Sequence, residues 1–332
     1  MVATSRQGLD EAKLLADVDL VTFDCFGTLV DWAKGLTTLG VEAARMPQFL
    51  AESIRLQRPS HRDAPFSSYR DVLTKVGHVL RPELDAARLS SWARAFGELP
   101  FFDDTVAALR LLGGVADLGV ISNCDVVHQL DVERRLGRPW DLCITAEELG
   151  AYKPTDRAWD AAIARVIARG YELDHWIHVS AFDDYDLLPA GARGVRTAYV
   201  PRPGDSEPAP DAVDLRFSDL HELARTIAAH KRGPVAYEVE AETASTDVAA
   251  RYHAWMIGEH LGAVRACPGV RSAELLRLDE RRFRASYRFR THAAYERYLE
   301  RDAPRLRARA GELFAPEEVN FRRSEVDVLA AT

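Results

Sequence analysis

The sequence is short of cysteine and of long apolar runs. Its 332 residues include only four cysteines, at positions 25, 124, 143 and 267, and their spacing fits neither a metal site nor a disulfide framework. We therefore expect reduced thiols and a cytoplasmic location. No run approaches the roughly 18 apolar residues of a membrane span, and the first residues lack the apolar centre of a signal peptide. A membrane partner is not expected.

An excess of positive charge is also missing. The formal net charge is -8, so no nucleic-acid partner is expected. The hydrophobic content of 47% over 332 residues is enough for two or three domains, each with its own core.

One predicted strand presents the central candidate residue. Leu20, Val21, Thr22 and Phe23 precede Asp24, and Gly27 follows three positions later. This pattern predicts a buried parallel strand that carries Asp24 at its carboxyl end, where open α/β sheets bind ligands. A carboxylate is ionised near neutral pH, so Asp24 can act as a covalent nucleophile without a helper base. Thr28 can offer its hydroxyl to this carboxylate or to the substrate.

The residue at position 26 separates two reactions. Side chains alternate along a strand, so Asp24 and Phe26 are predicted to face the same pocket. Expelling an alkoxide from a phosphate ester requires a proton from a second acid, which Phe26 cannot supply. A halide leaves as a stable anion and needs no proton. Phe26 therefore favours displacement of a halide.

The stretch from Phe23 to Leu29, with Asp24, Phe26, Gly27 and Thr28 in these places, resembles the haloacid dehalogenase superfamily. It is most similar to type II 2-haloacid dehalogenases, which have an aromatic residue at the position of Phe26. The resemblance covers residues from about 18 to 230 and implies hydrolytic dehalogenation.

Three later motifs carry the same resemblance. Ser122 and Asn123 follow a predicted strand, and the resemblance implies that they hold the substrate carboxylate and the departing halide. Lys153, between Tyr152 and Pro154, is implied to hold the Asp24 carboxylate and to balance negative charge. Asp186 is implied to orient Lys153 or the hydrolytic water.

The sequence departs from these dehalogenases at three places. Trp159 stands where they have a substrate-site tyrosine, and an indole cannot act as a phenol does. They use an arginine of the first cap helix to bind halide or carboxylate, and Arg55 is preferred over Arg58 for this role. Their Ser-Asn pair in the fourth motif is replaced by two acids, Asp183 and Asp184. We expect no cofactor, but Asp24, Asp183 and Asp186 are the Mg²⁺ ligands if the enzyme depends on a metal.

The order of predicted elements gives the domain organisation. Residues 1–31 and 103–230 alternate strands and helices, which predicts a doubly wound parallel-sheet α/β core. Residues 32–102 contain no convincing strand, and the resemblance implies that they form a helical cap inserted into the core. Residues 231–332 begin with a predicted linker, 231–234. They continue as strand, helix, strand, strand, helix, strand, a small α+β ferredoxin-like domain.

The C-terminal region loosely resembles a small family whose relatives form dimeric α/β barrels, through its element order and Tyr252, Trp255, His260 and Tyr298. This resemblance implies a homodimer. His253, Glu259 and His260 lie on one predicted helix without ligands elsewhere, so core or interface packing is favoured over a metal site.

The preferred function is hydrolysis of a small acidic substrate, a 2-haloacid of (S) configuration, through an aspartyl ester on Asp24. Two alternatives stay open. One is a Mg²⁺-dependent phosphatase or phosphonatase that uses the same aspartate. The other is a pathway-specific protein whose C-terminal domain binds a partner.

Overall fold

The computed structural model describes residues 15, 17–58, 65–204, 208–209, 212–230 and 235–327. The predicted linker 231–234 lies outside the described residues. The chain forms two compact units, the first built from residues 20–111 and 118–226 and the second mainly from the residues after 226. Within the described ranges, no helix combines the length and the apolar character that a membrane crossing requires.

The first unit contains a six-stranded parallel sheet. Its strands are β1 (Leu20–Phe23), β2 (Asp117–Ser122), β3 (Leu142–Thr145), β4 (Trp176–Ser180), β5 (Arg196–Tyr199) and β6 (Leu215–Arg216). Their order across the sheet is β3-β2-β1-β4-β5-β6. All four residues of β1 are buried, as expected for a parallel strand covered on both faces. The predicted doubly wound core is confirmed, and β6 is a short addition.

Helices connect these strands. They are α1 (Trp32–Thr38), α2 (Met46–Gln57), α3 (Tyr69–Leu80), α4 (Ala86–Arg94), α5 (Thr105–Leu112), α6 (Val126–Leu136), α7 (Ala146–Leu149), α8 (Asp156–Ala168), α9 (Leu188–Gly191) and α10 (Leu220–Ala229). The sequence predicts one helix from Leu36 to Leu56, but the structure divides it. Gly40 has a φ of 83°, a left-handed conformation that ends the first helical segment.

The second unit contains a separate antiparallel sheet. Its strands are β7 (Val235–Thr243), β8 (Val270–Arg277), β9 (Arg282–Phe289) and β10 (Val319–Asp327), in the order β10-β7-β9-β8. Its α-helices are α11 (Thr246–Trp255), α12 (Leu261–Arg265), α13 (His292–Arg297) and α14 (Ala303–Leu313). The predicted order of strands and helices is present, and it gives a small α+β unit. Alternate residues of β7 and β9, including Tyr237 and Tyr287, are buried in its core.

Three short π-helical segments interrupt the expected pattern. They span Asp183–Leu187, Met256–His260 and Tyr298–Asp302. From the sequence, the first is expected to be part of a motif loop, and the other two are expected to be parts of continuous α-helices. A π-helical turn widens the helix by one residue and changes which side chains share a face.

Candidate active site

Asp24 follows β1 directly at the carboxyl edge of the parallel sheet. Its backbone N–H donates to the carbonyl oxygen of Val179 on β4, at 2.9 Å. The strand order reverses between β1 and β4, which is the usual ligand position in open α/β sheets. Gly27 turns the chain away with a φ of 102°, and a Cβ there would lie 2.6 Å from the Phe182 ring. The turn therefore requires glycine for both conformation and space.

The Lys153 ammonium lies beside the Asp24 carboxylate. Its Nζ is 3.1 Å from Asp24 Oδ1, 2.8 Å from Asp186 Oδ1 and 2.7 Å from the carbonyl oxygen of Ile121. An ammonium has three N–H donors, and three acceptors surround this one. Lys153 is 4% exposed, so it is a fixed, buried positive charge.

Asp186 binds Lys153, and His178 in turn binds Asp186. His178 Nε2 lies 3.0 Å from Asp186 Oδ1, and His178 Nδ1 lies 2.8 Å from Thr22 Oγ1. The Trp176 indole N–H donates to the same Thr22 oxygen, at 2.7 Å. An indole nitrogen can only donate, so the threonine hydroxyl is free to donate to Nδ1. This network assigns the His178 proton to Nε2, which donates to Asp186.

Burial and charge affect the two carboxylates differently. Burial raises the pKa of Asp24 above its ordinary 3.8, although Lys153 opposes the rise. Burial also disfavours the ionised form of Asp186, but Lys153 and His178 outweigh it and lower that pKa to about 2. Burial lowers the pKa of Lys153, but the two carboxylates more than compensate and raise it. The site therefore combines a permanent ion pair with a second, more basic carboxylate.

The carboxylate opens onto a cavity of about 220 Å³. The wall is largely aromatic and includes Phe26, Trp32, Phe49, Tyr69 and Phe96. The Phe26 ring lies on the cavity wall with Asp24, as the alternation along the strand predicts, and it packs 6.4 Å from the Tyr69 and Phe96 rings. A small substrate with an apolar body fits such a space.

Thr28 and Asn123 support the two charged groups. The Thr28 hydroxyl donates to Asp24 Oδ2 at 3.2 Å and accepts from the Ala181 backbone N–H at 3.0 Å. Asn123 Oδ1 accepts from the Lys153 backbone N–H at 2.8 Å, and its Nδ2 donates to the Lys153 carbonyl at 3.0 Å. Ser122 also lines the cavity, and its hydroxyl has no nitrogen or oxygen partner in the described part of the chain. Ser122 is thus available to a ligand, whereas Asn123 is committed mainly to the lysine loop.

The structure does not bring Arg55 to the cavity. Helix α2 presents Leu50, Ser53, Ile54 and Gln57 to it, at the i, i+3, i+4, i+7 spacing of one helix face. Arg55 points elsewhere, with a side chain that is 66% exposed and paired with Glu52 at 2.8 Å. Arg58, the less favoured choice, lines the cavity instead.

Trp159 is likewise absent from the cavity wall. It is fully buried in the core of the first unit and packs edge-on against the His178 ring, with centroids 5.2 Å apart. The Lys153 Nζ lies 5.8 Å from the indole ring. Trp159 therefore supports the lysine and histidine from within the core and does not reach the substrate space.

The three acids of the metal alternative do not form a cluster. Within the residues that the structure describes, only Glu172, Asp174 and His175 bring three ligand atoms within 4.8 Å of one another. Asp183 Oδ1 accepts from the Asp184 backbone N–H at 2.8 Å, and Asp186 Oδ1 is occupied by Lys153. This donor set does not fit a Mg²⁺ site built from Asp24, Asp183 and Asp186.

The sequence does not predict a role for two residues at the site, Tyr185 and His178. Tyr185 lines the cavity, and its hydroxyl lies 3.5 Å from Asp24 Oδ2. Burial raises the pKa of Tyr185 well above its ordinary value, so the phenol stays protonated. His178 could have been found from its place two residues before Ser180 on a predicted strand. Tyr185 could not, because the π-helical turn sets its direction.

No protein-family model matches the chain. Pyrimidine 5'-nucleotidase YjjG of Escherichia coli is 25% identical over 230 residues, which cover 65% of this chain and 96% of that protein. The solved L-2-haloacid dehalogenase PA0810 is 28% identical with a TM-score of 0.56, covering 64% of this chain and 99% of that one. The L-2-haloacid dehalogenase from Xanthobacter autotrophicus is 17% identical with a TM-score of 0.53, covering 63% and 98%.

The structural similarities establish the haloacid dehalogenase-like fold for about two thirds of the chain. The nucleotidase and the PA0810 enzyme also support a hydrolase of that superfamily. The similarity to the Xanthobacter enzyme bears on the fold alone.

Proposed function

We propose that this chain, which has the haloacid dehalogenase-like fold, hydrolyses the carbon–halogen bond of a small (S)-2-haloacid through an ester on Asp24. The observation that carries the proposal is the composition of one small cavity. It contains a buried carboxylate fixed by an ammonium, and Phe26, which has no proton to donate, lines the same space.

Residues 32–102 are assigned the role of a cap. Most of the apolar wall comes from this segment, including Trp32, Phe49, Ile54, Tyr69 and Phe96. A wall of this kind excludes water from the nucleophile during the first step, and it strengthens the interaction between the charges inside.

In the first step, an oxygen of the Asp24 carboxylate attacks C2 of the haloacid. The carbon–oxygen bond forms as the carbon–halogen bond breaks, and the halide leaves with the bonding electron pair. Because burial raises the pKa of Asp24, its carboxylate is more basic and more nucleophilic than an exposed one. Ser122 and Arg58 are available on the cavity wall to hold the substrate carboxylate.

In the second step, water adds to the carbonyl carbon of the Asp24 ester. Negative charge then develops on the carboxyl oxygens, beside the Lys153 ammonium and the Thr28 and Tyr185 hydroxyls. Preorganised donors of this kind stabilise such a charge strongly. Collapse releases the 2-hydroxyacid and restores the carboxylate, and the surplus proton enters solvent. Asp186 is sealed from the cavity, so we assign it the positioning of Lys153 and not of the water.

The similarity to a nucleotidase supports a second candidate, a phosphoester hydrolase that uses the same Asp24. Two features weigh against it. The cavity of about 220 Å³ is small for a nucleotide. Phe26 lines this cavity and cannot protonate a departing alkoxide.

Two assays on the full chain separate these functions. The first measures halide release from (S)-2-chloropropionate in the presence of a chelator, and the second measures phosphate release from uridine monophosphate with Mg²⁺. We expect halide release alone, and an Asp24→Asn variant should lose at least about a thousandfold of it. The matched control is Asp103→Asn, an exposed acid outside the cavity, which should keep full activity. Phosphate release without halide release would contradict the proposal. Release of neither product would favour a partner-binding protein.

A further inference from the structure

The second unit contains a cavity of its own, of about 380 Å³. The four residues that single out this region in the sequence, Tyr252, Trp255, His260 and Tyr298, all line it. The wall also contains Tyr237, Tyr287, Phe314 and Phe321. The Trp255 and His260 rings lie 4.5 Å apart, and the Tyr252 and Phe283 rings 5.3 Å apart. Packing is predicted for His260, and it accounts for only part of the surroundings of this ring, because a space remains between it and the other wall residues.

Several tyrosines line this cavity. Tyr252, Tyr287 and Tyr298 are at least 97% buried as whole residues, but none of their hydroxyl oxygens is a fully buried atom without a hydrogen-bond partner. Burial raises the pKa of all three, so the phenols remain neutral donors. Neutral phenols on the wall of a cavity can donate hydrogen bonds to a bound molecule.

The charged residues of the wall have one sign. Arg307 and Arg323 line the cavity, and no aspartate or glutamate is among its lining residues. Arg307 donates to the Tyr237 hydroxyl at 3.0 Å, and Arg323 lies 5.3 Å from the centre of the Phe321 ring. Burial lowers the pKa of His260 to about 4, so this ring is neutral near pH 7. The two arginines therefore make the cavity attractive to an anion.

The backbone around the cavity also departs from regular helix. Met256, His260 and Tyr298 belong to the two π-helical turns of this unit, and such turns are frequent at functional sites. Gly311 lies inside helix α14 on the cavity wall, and a Cβ placed there meets no atom within 4 Å. Glycine weakens a helix interior by about 1 kcal/mol relative to alanine. A longer side chain at this exposed position of the cavity wall has room to extend.

We propose that this cavity is a ligand site for a small planar aromatic acid, held with its rings among the aromatic wall and its carboxylate toward Arg307 and Arg323. The tyrosine hydroxyls would donate to polar substituents of the ring system. The site is separate from the Asp24 cavity, with which it shares no residue.

Isothermal titration calorimetry on the full chain tests this inference with two probes, 2-naphthoate and its neutral counterpart 2-naphthol. We expect the carboxylate to bind about tenfold or more tightly than the phenol. Gly311→Leu adds a bulky side chain to the cavity wall and should weaken naphthoate binding at least tenfold. The double variant Arg307→Gln, Arg323→Gln should bring naphthoate down to the affinity of naphthol and leave naphthol binding unchanged.

The matched control is Gly262→Leu, a second helical glycine whose added Cβ meets no atom within 4 Å and which does not line the cavity. Leucine favours helix over glycine, so both variants should fold, and thermal unfolding followed by circular dichroism checks this. Absence of naphthoate binding by the parent chain overturns the proposal. So does equal affinity of the Gly311→Leu and Gly262→Leu variants, and so does a double arginine variant that keeps the preference for naphthoate.

Discussion

At the scale of single residues, the site depends on one ammonium that lies between two carboxylates whose pKa values differ. Lys153 lies 2.8 Å from Asp186 and 3.1 Å from Asp24, and His178 adds its own hydrogen bond to Asp186 alone. Asp186 is therefore the permanent counter-ion of the lysine. Burial raises the pKa of Asp24, so Asp24 is the more basic carboxylate and the one available to react.

Replacement of Lys153 tests the different roles assigned to Asp186 and Asp24. We expect Lys153→Met to lower kcat for halide release by about 100- to 1000-fold, because the ester hydrolysis loses the nearest stabilising charge. The variant should also be less stable by about 3 kcal/mol, since two buried carboxylates lose their cation. Rates are measured on protein shown to be folded by circular dichroism. Lys34→Met, at an exposed lysine of α1, is the control, and a Lys153→Met rate within tenfold of the parent would contradict the assignment.

At the scale of secondary structure, most of the site follows from strand ends that the sequence reveals. Asp24, Ser122 and Ser180 end or follow apolar strands, and a parallel sheet necessarily brings such ends to one edge. The place of Lys153 beside Asp24 is implied by the resemblance of its Tyr-Lys-Pro motif to the dehalogenases. The strand-end positions depend on the alternation of apolar runs and helices, which a single sequence displays directly.

Side chains whose direction depends on helix rotation could not be placed in the same way. The rotation of α2 about its axis turns Arg55 away from the cavity, whereas Arg58 follows the last helical residue in an extended conformation and reaches it. Tyr185 lies in a π-helical turn that directs its hydroxyl toward Asp24. The extra residue of this turn does not change the hydrophobic pattern of the sequence, so the turn could not be predicted from that pattern. Trp159, on α8, is fully buried in the core next to Lys153 and therefore does not reach the cavity.

The turn after β1 provides a test at this scale. Gly27→Ala places a Cβ 2.6 Å from the Phe182 ring at a φ of 102°. We expect a loss of about 2 kcal/mol in the free energy of unfolding and a lower kcat, because Phe182 and the neighbouring Tyr185 must shift. Gly137→Ala is the matched control, with a φ of 69° and no atom within 4 Å of the added Cβ. Equal destabilisation of the two variants by urea unfolding would show that the clash is unimportant.

At the scale of the whole molecule, the nucleophile should reduce stability. Lys153, Asp186 and an ionised Asp24 together place a net negative charge in the core, and Asp24→Asn neutralises it. We expect this variant to be more stable than the parent near pH 7 by about 1 kcal/mol, or roughly 2–4 °C in Tm. Asp103→Asn should leave Tm unchanged.

The pH dependence of this effect has a definite sign. The folded pKa of Asp24 lies above 3.8, its ordinary value in the unfolded chain, so its ionised form opposes folding at neutral pH. As the pH falls through the folded pKa, the folded protein takes up the proton first and the opposition disappears. The stability difference between Asp24→Asn and the parent should therefore be largest near neutrality and should vanish below pH 3.8. A variant less stable than the parent at pH 7 would contradict this account.

The covalent ester is tested most directly by a single turnover in H₂¹⁸O with enzyme in excess over (S)-2-chloropropionate. If water attacks the carboxyl carbon of the ester, the heavy oxygen enters Asp24. The peptide that contains Asp24 then gains the mass difference of one ¹⁸O, while the hydroxyacid formed in that turnover carries an unlabelled oxygen from the enzyme. An unlabelled Asp24 peptide together with an ¹⁸O-labelled hydroxyacid would mean that water attacks C2 itself, and the proposed mechanism would be wrong.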